Sequence, residues 1–451
     1  MASAAAESIG APAEALEPKR VFPAPIIFAI QPNPLDALLA LARDFGDVVP
    51  FQLGPKPAVL LSDPEDIKDV LVTHSRDFHK ARAIPTPFGQ GLFSSEGETF
   101  LRQRRLMQPA FHRQRIANYG QIMVDYADRW HARWTDGETI DIGADMRALT
   151  LAIVGKALFD ADNADSEATE IAQALGIFKQ VFTPPTNGTG PTYGPTPPAA
   201  AGHIQAAKAR LDAILSRIIA ERRASGEDKG DFLSMLLMAR DDEGDSTGMT
   251  DQQVIDEAVT LFLSGHGTTA SALMWTWYLL GQNPAAEAAL HAELDEALGG
   301  RQPTLDDLPR LRYTAAVFTE AMRVYPPAWV LGRVPLHDYT VRGLTIPAGT
   351  PIFMSQWVVH HDERLYDDPF AFKPERWTPE FRATLPKYAY FPFGGGPRLC
   401  VGDAFAELEG VMLIATLAQA WRMIPAPDSQ LEMEIIATVR PKTLPMRLER
   451  R

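Results

Sequence analysis

Cys400 is the only cysteine in the chain. It ends a run that reads Phe393, Gly394, Gly395, Gly396, Pro397, Arg398, Leu399, Cys400, Val401, Gly402. The glycines and the proline make a tight, open loop. Immediately after it, Phe405, Leu408, Val411, Met412 and Ala415 recur at helical spacing, which predicts a helix starting at the sulfur. A helix dipole and the amides of such a loop favour an anion, so the Cys400 thiol is expected below its ordinary pKa, as suits a thiolate held against an electron-poor metal. Gly402 would let a flat ring approach the helix start. The cysteine and glycines alone would equally describe a buried structural cysteine in a tight turn.

A second segment, Ser264, Gly265, His266, Gly267, Thr268, Thr269, lies inside a long helical pattern. Each glycine in a helix interior costs about 1 kcal/mol relative to alanine. They either let two helices pack closely or let a ligand approach the backbone. A third signal pairs Glu320 with Arg323 on one helical face, with Pro374, Glu375, Arg376 and Trp377 between them and Cys400. Taken alone, such a pair is usually a solvated ion pair.

Taken together, these segments resemble the cytochrome P450 family. The pattern Phe-x-x-Gly-x-Arg-x-Cys-x-Gly matches its haem-binding signature at every fixed position, from Phe393 and Gly394 through Arg398 and Cys400 to Gly402. The resemblance implies haem b with Cys400 as the iron ligand, and a thiolate that donates electron density to favour O–O cleavage. It implies that Arg398 pairs with a haem propionate and that Glu320, Arg323 and Arg376 form a buried triad locking the core beneath the haem. The 264–269 stretch is similar to the family's oxygen-binding segment, with Thr268 as the threonine that steers protons to oxygen and Gly265 beside the haem. This chain departs from the pattern there: Gly267 replaces the usual acid and Ser264 the first small residue, so proton delivery falls to water, Ser264 or His266. In the family's Trp-x-x-x-Arg helix, Phe100 replaces the Trp and Arg104 matches the propionate-binding Arg; Arg333 is a further propionate candidate. Arg102, Arg104, Arg105, Arg113 and Arg115 cluster near the face where an electron donor docks, and an acidic ferredoxin would suit them.

The resemblance further implies a monooxygenase that hydroxylates a lipophilic small molecule with O2 and electrons from a ferredoxin and its NAD(P)H-dependent reductase, since no length is left over for a fused redox domain. The alternatives are a peroxide-dependent peroxygenase, suggested by Gly267, and a non-catalytic haem sensor or carrier, which would not need Thr268. A substrate pocket is expected from Phe88, Phe93, Phe178, Phe182, Leu261, Trp329, Val330 and Thr438. The stretches Tyr325–Leu331 and Tyr390–Phe393 are similar to carotenoid-hydroxylating members, and fatty-acid hydroxylases share much of the pattern. Carotenoid, terpenoid, steroid and fatty acyl substrates stay open.

The elements that must hold these residues are mostly helices. The pattern predicts a mainly α chain with minor β: a short helix over 35–47, a hairpin over 48–62 turning at Gly54-Pro55, a helix over 203–225, and a longer one from a Thr250/Gln253 capping box to Asn283-Pro284. About 30 residues at 1.5 Å each make that helix about 45 Å long. Asn283 should cap the next helix, which Gly299 ends, and short strands should fill 333–353. Residues 1–20 read as a loose leader and 21–451 as one haem-binding domain. Residues 184–198 form a Pro/Gly-rich loop, either lid or linker.

The chain has 451 residues, of which 46% are apolar, aromatic or cysteine, enough for a large core. A net charge of −14 argues against nucleic-acid binding. The lone cysteine excludes an internal disulfide, and no segment reads as a signal peptide or membrane span. The expectation is a cytoplasmic monomer.

Overall fold

A computed structural model describes residues 33–53, 56–81, 89–160, 198–241, 243–244, 246–427, 429–435 and 437–451. The leader, the 184–197 stretch, and Phe88, Phe178 and Phe182 lie outside them.

The chain opens with α1 (Pro34–Phe45), capped by the Asn33 side chain and stopped at Gly46, which has φ +91°. Its face of Leu35, Leu38 and Leu41 is fully covered. Strands β1 (Val48–Leu53) and β2 (Lys56–Leu61) pair antiparallel as the alternating apolar pattern predicts. After β3 (Phe78–Lys80) come helices α2 (Gly97–Met107), α3 (Arg113–His131), α4 (Ile142–Phe159), α5 (Pro198–Ser225), α6 (Asp251–Gln282), α7 (Pro284–Leu298) and α8 (Arg312–Val324). Strands β4 (Leu331–Pro335) and β5 (Ile352–Met354) follow, and α9 (Asp403–Ala420) leaves the cysteine loop.

The largest sheet has the order β1-β2-β5-β4-β3. β5 lies parallel to β2, with Val59 opposite Ile352, and the other neighbours are antiparallel. This register sets Lys80 of β3 opposite Arg333 of β4. Smaller sheets complete the β structure, so the fold is mainly α with minor β.

α6 organises the helical layer. Its Thr250/Gln253 capping box is formed in both directions, and with no proline before Pro284 the helix runs for 32 residues. It packs chiefly against α4 and also against α8 and α9. α9 is buried through Phe405, Leu408, Val411, Met412 and Ala415, the positions its spacing picks out.

Two expectations need correction. Asn283 does not cap α7 with its side chain; its amide donates back to Leu279 O of α6 at 2.7 Å, so the C-terminal carbonyls of α6 win the competition. α5 begins at Pro198 rather than near residue 203, because proline is tolerated in a helix's first turn.

Candidate active site

The cysteine loop is held from both ends. Cys400 N donates to Phe393 O at 3.0 Å. Gly396 has φ +66°, and a Cβ there would lie 1.8 Å from Leu71 O, so both conformation and contact require glycine. At Gly402 a Cβ would meet only Phe111, at an ordinary 3.7 Å. Protein packing therefore does not explain Gly402, which leaves room at the helix start as its type suggested.

Cys400 is exposed, although it sits between the core helix α9 and a loop pinned to its neighbours. The sulfur is open on one side and crowded by protein elsewhere. This corrects one expectation. Burial pushes the thiol above its ordinary pKa, the Gly402 amide and Arg104 act against that shift, and the Asp403 charge reinforces it. The helix-start amide points at the sulfur as anticipated, but desolvation outweighs it. A thiolate here is thus favoured only together with a cation that it ligates, since metal coordination deprotonates a thiol outright.

Two cations, Arg104 and Arg333, make no ion pair with a carboxylate among the described residues. Arg333 is 8% exposed, and its hydrogen-bond partner among the described residues is its neighbour's carbonyl, Gly332 O, at 2.9 Å. Burial alone pulls its pKa down to about 10. With Lys80 opposite on β3, a buried guanidinium in this position calls for an anion. Arg104 donates to Leu399 O at 2.7 Å, next to the cysteine, and burial lowers its pKa too. Arg398 is different: it pairs with Glu96, donates to Ser95 O at 3.2 Å, and lies 3.9 Å from the centre of the buried Phe100 ring. Phe100 thus serves as a platform for Arg398, and Glu96 competes for the cation that the resemblance gave to a propionate. Phe393 is half-buried against the main core. Gly394 has φ +74° and closes on Leu331 of β4.

On α6, Ser264 and Thr268 are exposed in mid-helix although Leu261, Phe262, His266, Thr269 and Ala270 are buried. Ser264 Oγ donates to Thr260 O at 2.6 Å and Thr268 Oγ1 to Ser264 O at 2.9 Å. They form one open stripe with Gly267, where no atom lies within 4 Å of a built Cβ. Gly265 instead faces Val154 of α4 at 3.4 Å, so it serves helix packing rather than the open face. His266 falls on the opposite side of the helix: it is 4% exposed, Nδ1 lies 2.8 Å from Phe262 O, and Thr150 of α4 donates to its carbonyl at 3.1 Å. Of the three proton-handling candidates, Ser264 and Thr268 come together and His266 is turned away.

One residue escaped the sequence reading. Glu409 of α9 is 0% exposed, and neither carboxyl oxygen is hydrogen-bonded among the described residues. Burial pushes its pKa up to about 8, against a weaker opposing effect of the Thr269 hydroxyl beside it on α6. It sits within an apolar helical pattern, where an acid ought to be a surface residue; only its place on the buried face could have marked it.

Glu320, Arg323 and Arg376 come together in the core. Arg323 makes a bidentate pair with Glu320 at 2.8 Å, and Arg376 Nε reaches the same carboxylate at 3.0 Å. Trp377 Nε1 also donates to Glu320 at 2.8 Å, while Arg323 donates to the carbonyls of His360, Pro369 and Ala371. One carboxylate serves two guanidinium groups, and each charged group is held by hydrogen bonds, as burial demands.

The basic cluster is less free than its sequence suggests. Arg105 is bidentate to the buried Asp241 at 2.9 Å, and Arg102 donates to Thr247 and Gly248 O. These two arginines staple α2 to Asp241, Thr247 and Gly248. Arg115 remains exposed, and the side chain of Arg113 lies outside the description.

Among the pocket candidates, Leu261 is buried, Trp329, Val330 and Thr438 are half-buried, and Phe93 is 52% exposed. Thr438 lies against α6, where Ser271 Oγ is 3.5 Å from its hydroxyl.

Comparison with known proteins agrees with this geometry. The family model "Cytochrome P450" matches residues 22–446. Cyclooctatin synthase of Streptomyces melanosporofaciens is 41% identical over 88% of this chain and 87% of its own. Cyclooctat-9-en-7-ol 5-monooxygenase of the same organism is 38% identical over 94% and 92%, and pentalenene oxygenase of Streptomyces avermitilis 34% over 93% of both. Among solved structures, the cytochrome P450DA heme domain superposes with a TM-score of 0.84 at 26% identity, covering 94% of both chains. With its cysteine loop, its buried Arg333 and its open stripe on α6, the chain belongs to the cytochrome P450 family and is a haem b-dependent monooxygenase.

Proposed function

We propose that this monooxygenase hydroxylates a terpenoid-like, largely hydrocarbon substrate, using O2 and electrons from a ferredoxin and its NAD(P)H-dependent reductase. One observation carries the catalytic part: Cys400, open on one side, shares a chain with Arg333, a buried cation with no carboxylate partner among the described residues. The residues present fit haem, with Cys400 as iron ligand and Arg333 and Arg104 as cations for its propionates. When bound, haem supplies oxygen activation, and the protein supplies position, protons and a dry surface.

Ser264 and Thr268 are the hydroxyls that handle protons on the open face of α6, where Gly267 offers no acid. Each donates to a backbone carbonyl, so each oxygen keeps acceptor capacity for a water. Leu261, Trp329 and Val330 are the apolar candidates for the pocket lining, which would suit a lipophilic guest. Of the substrate classes the sequence leaves open, terpenoid is favoured by relatives whose names specify an alkene, pentalenene, and an alkenol, cyclooctat-9-en-7-ol. The ferredoxin reading rests on family membership and on an exposed basic residue, Arg115, beside α2.

The test is a titration of the purified haem protein with polycyclic terpene hydrocarbons, steroids, fatty acids and carotenoids, read at the Soret band. A low- to high-spin shift confined to the terpenes is the expected result. Turnover of that compound with a ferredoxin system should then fall at least about tenfold in coupling in Thr268→Ala, with peroxide released instead. A shift confined to another class would overturn the substrate reading, and turnover by hydrogen peroxide alone would favour a peroxygenase.

A further inference from the structure

Just before α2 the chain turns through residues 89–93, and α6 holds this turn by two consecutive acids. Gln90 N donates to Asp256 Oδ2 at 2.8 Å, and Leu92 N donates to Glu257 Oε2 at 2.9 Å. At Gly89 and Gly91 the turn lies too close to the helix for a side chain. A Cβ on Gly89 would come within 2.3 Å of the Asp256 carboxylate, and one on Gly91 within 2.2 Å of Thr260 Oγ1. From the other side Lys80 Nζ takes the carbonyls of Leu92 at 3.2 Å and Phe93 at 2.5 Å. Glu257 is 0% exposed, a costly place for an acid without a task.

The anchor lies in line with the open stripe. Asp256, Thr260, Ser264 and Thr268 follow one another at i, i+4. Each hydroxyl donates to the carbonyl one turn back: Thr260 to Asp256 O at 2.7 Å, Ser264 to Thr260 O at 2.6 Å, and Thr268 to Ser264 O at 2.9 Å. At 1.5 Å per residue the turn therefore sits about 12 Å along α6 from Ser264, at the end of the Ser264/Thr268 face.

We propose that Asp256 and Glu257 are positioning residues that fix the 89–92 turn as the end wall of the substrate site and thereby limit the size of ligand that reaches Thr268. The inference rests on the monooxygenase reading only in taking the Ser264/Thr268 face as the substrate side. It concerns the amides of two residues, not the chemistry at the haem.

The experiment compares haem-loaded wild type, Glu257→Ala and Glu257→Gln. Burial pushes the Glu257 carboxyl up to about 8, so at pH 7 it is mostly neutral and Gln supplies an equivalent acceptor. In Glu257→Ala, a buried Leu92 N–H loses its partner, and its hydrogen exchange should quicken by about tenfold or more. Association of 4-phenylimidazole with the ferric haem should quicken as well, while that of the smaller imidazole stays near the wild-type rate. Glu257→Gln should behave as wild type in both readouts. Should Glu257→Ala fail to fold, Gly91→Ala pushes the same turn off α6 from the opposite side and should reproduce both effects. Unchanged Leu92 exchange would overturn the anchor, and equal changes for both imidazoles would overturn the end wall. The ferrous–CO spectrum, recorded on every variant, reports separately on the haem–thiolate reading.

Discussion

At the scale of single residues, the decisive feature is a buried cation with no carboxylate partner among the described residues. Arg333 is buried among apolar strands with Lys80 opposite, and a haem propionate would satisfy it. Arg333→Met should therefore release haem to an acceptor protein faster by about tenfold or more, the value of a charge-assisted hydrogen bond. In the haem-free state the same variant should be no less stable than wild type, since it removes an uncompensated cation. Faster unfolding of the haem-free variant with unchanged haem release would show that Arg333 serves the fold alone. Arg333 was legible in the sequence as a candidate from its place shortly after a double proline; the structure sets it in the middle of β4. What residue types could not show was competition: that Glu96 claims Arg398, that Asp241 claims Arg105, and that desolvation beats the helix dipole at Cys400. Each of these outcomes depends on residues far apart in sequence.

At the scale of elements, α6 and α9 do most of the positioning, and their contact encloses Glu409. Its folded pKa of about 8 lies above the ordinary carboxyl value of 4.5. The folded state therefore keeps a proton that the unfolded chain releases, and stability falls as pH rises from about 5 to about 8, then levels off. For one such group the slope is at most about 1.4 kcal/mol per pH unit. Glu257, also raised to about 8, adds a slope of the same sign. In urea unfolding at pH 5, 6.5 and 8, Glu409→Gln should gain on wild type steadily as pH rises. A difference that is constant with pH would mean that Glu409 is ionised in the folded protein. The helices themselves were legible, α6 from its capping box and stopping proline and α9 from its apolar period. Their rotation was not. The same pattern that predicts α6 cannot say that His266 faces α4 while Ser264 and Thr268 face outward, because only the packing of α4 against Gly265 fixes that angle.

At the scale of the molecule, the order of motifs along the chain already implied the architecture. The acid-arginine helix and the Pro374–Trp377 segment meet in space as their order suggests, through Glu320 bonding Arg323, Arg376 and Trp377. The sequence alone hid the closures between distant segments: the 89–92 turn on α6, and α2 stapled by Asp241. No described helix is long and apolar enough to cross a membrane. All these parts converge on one claim, that Cys400 ligates the iron. The most direct test is the ferrous–CO spectrum of the haem-bound protein, wild type beside Cys400→Ser. The account predicts the Soret band typical of thiolate ligation in the wild type and its loss in a Cys400→Ser protein that remains folded. A folded, haem-bound wild type without that band, or a Cys400→Ser variant that keeps it, would contradict the account.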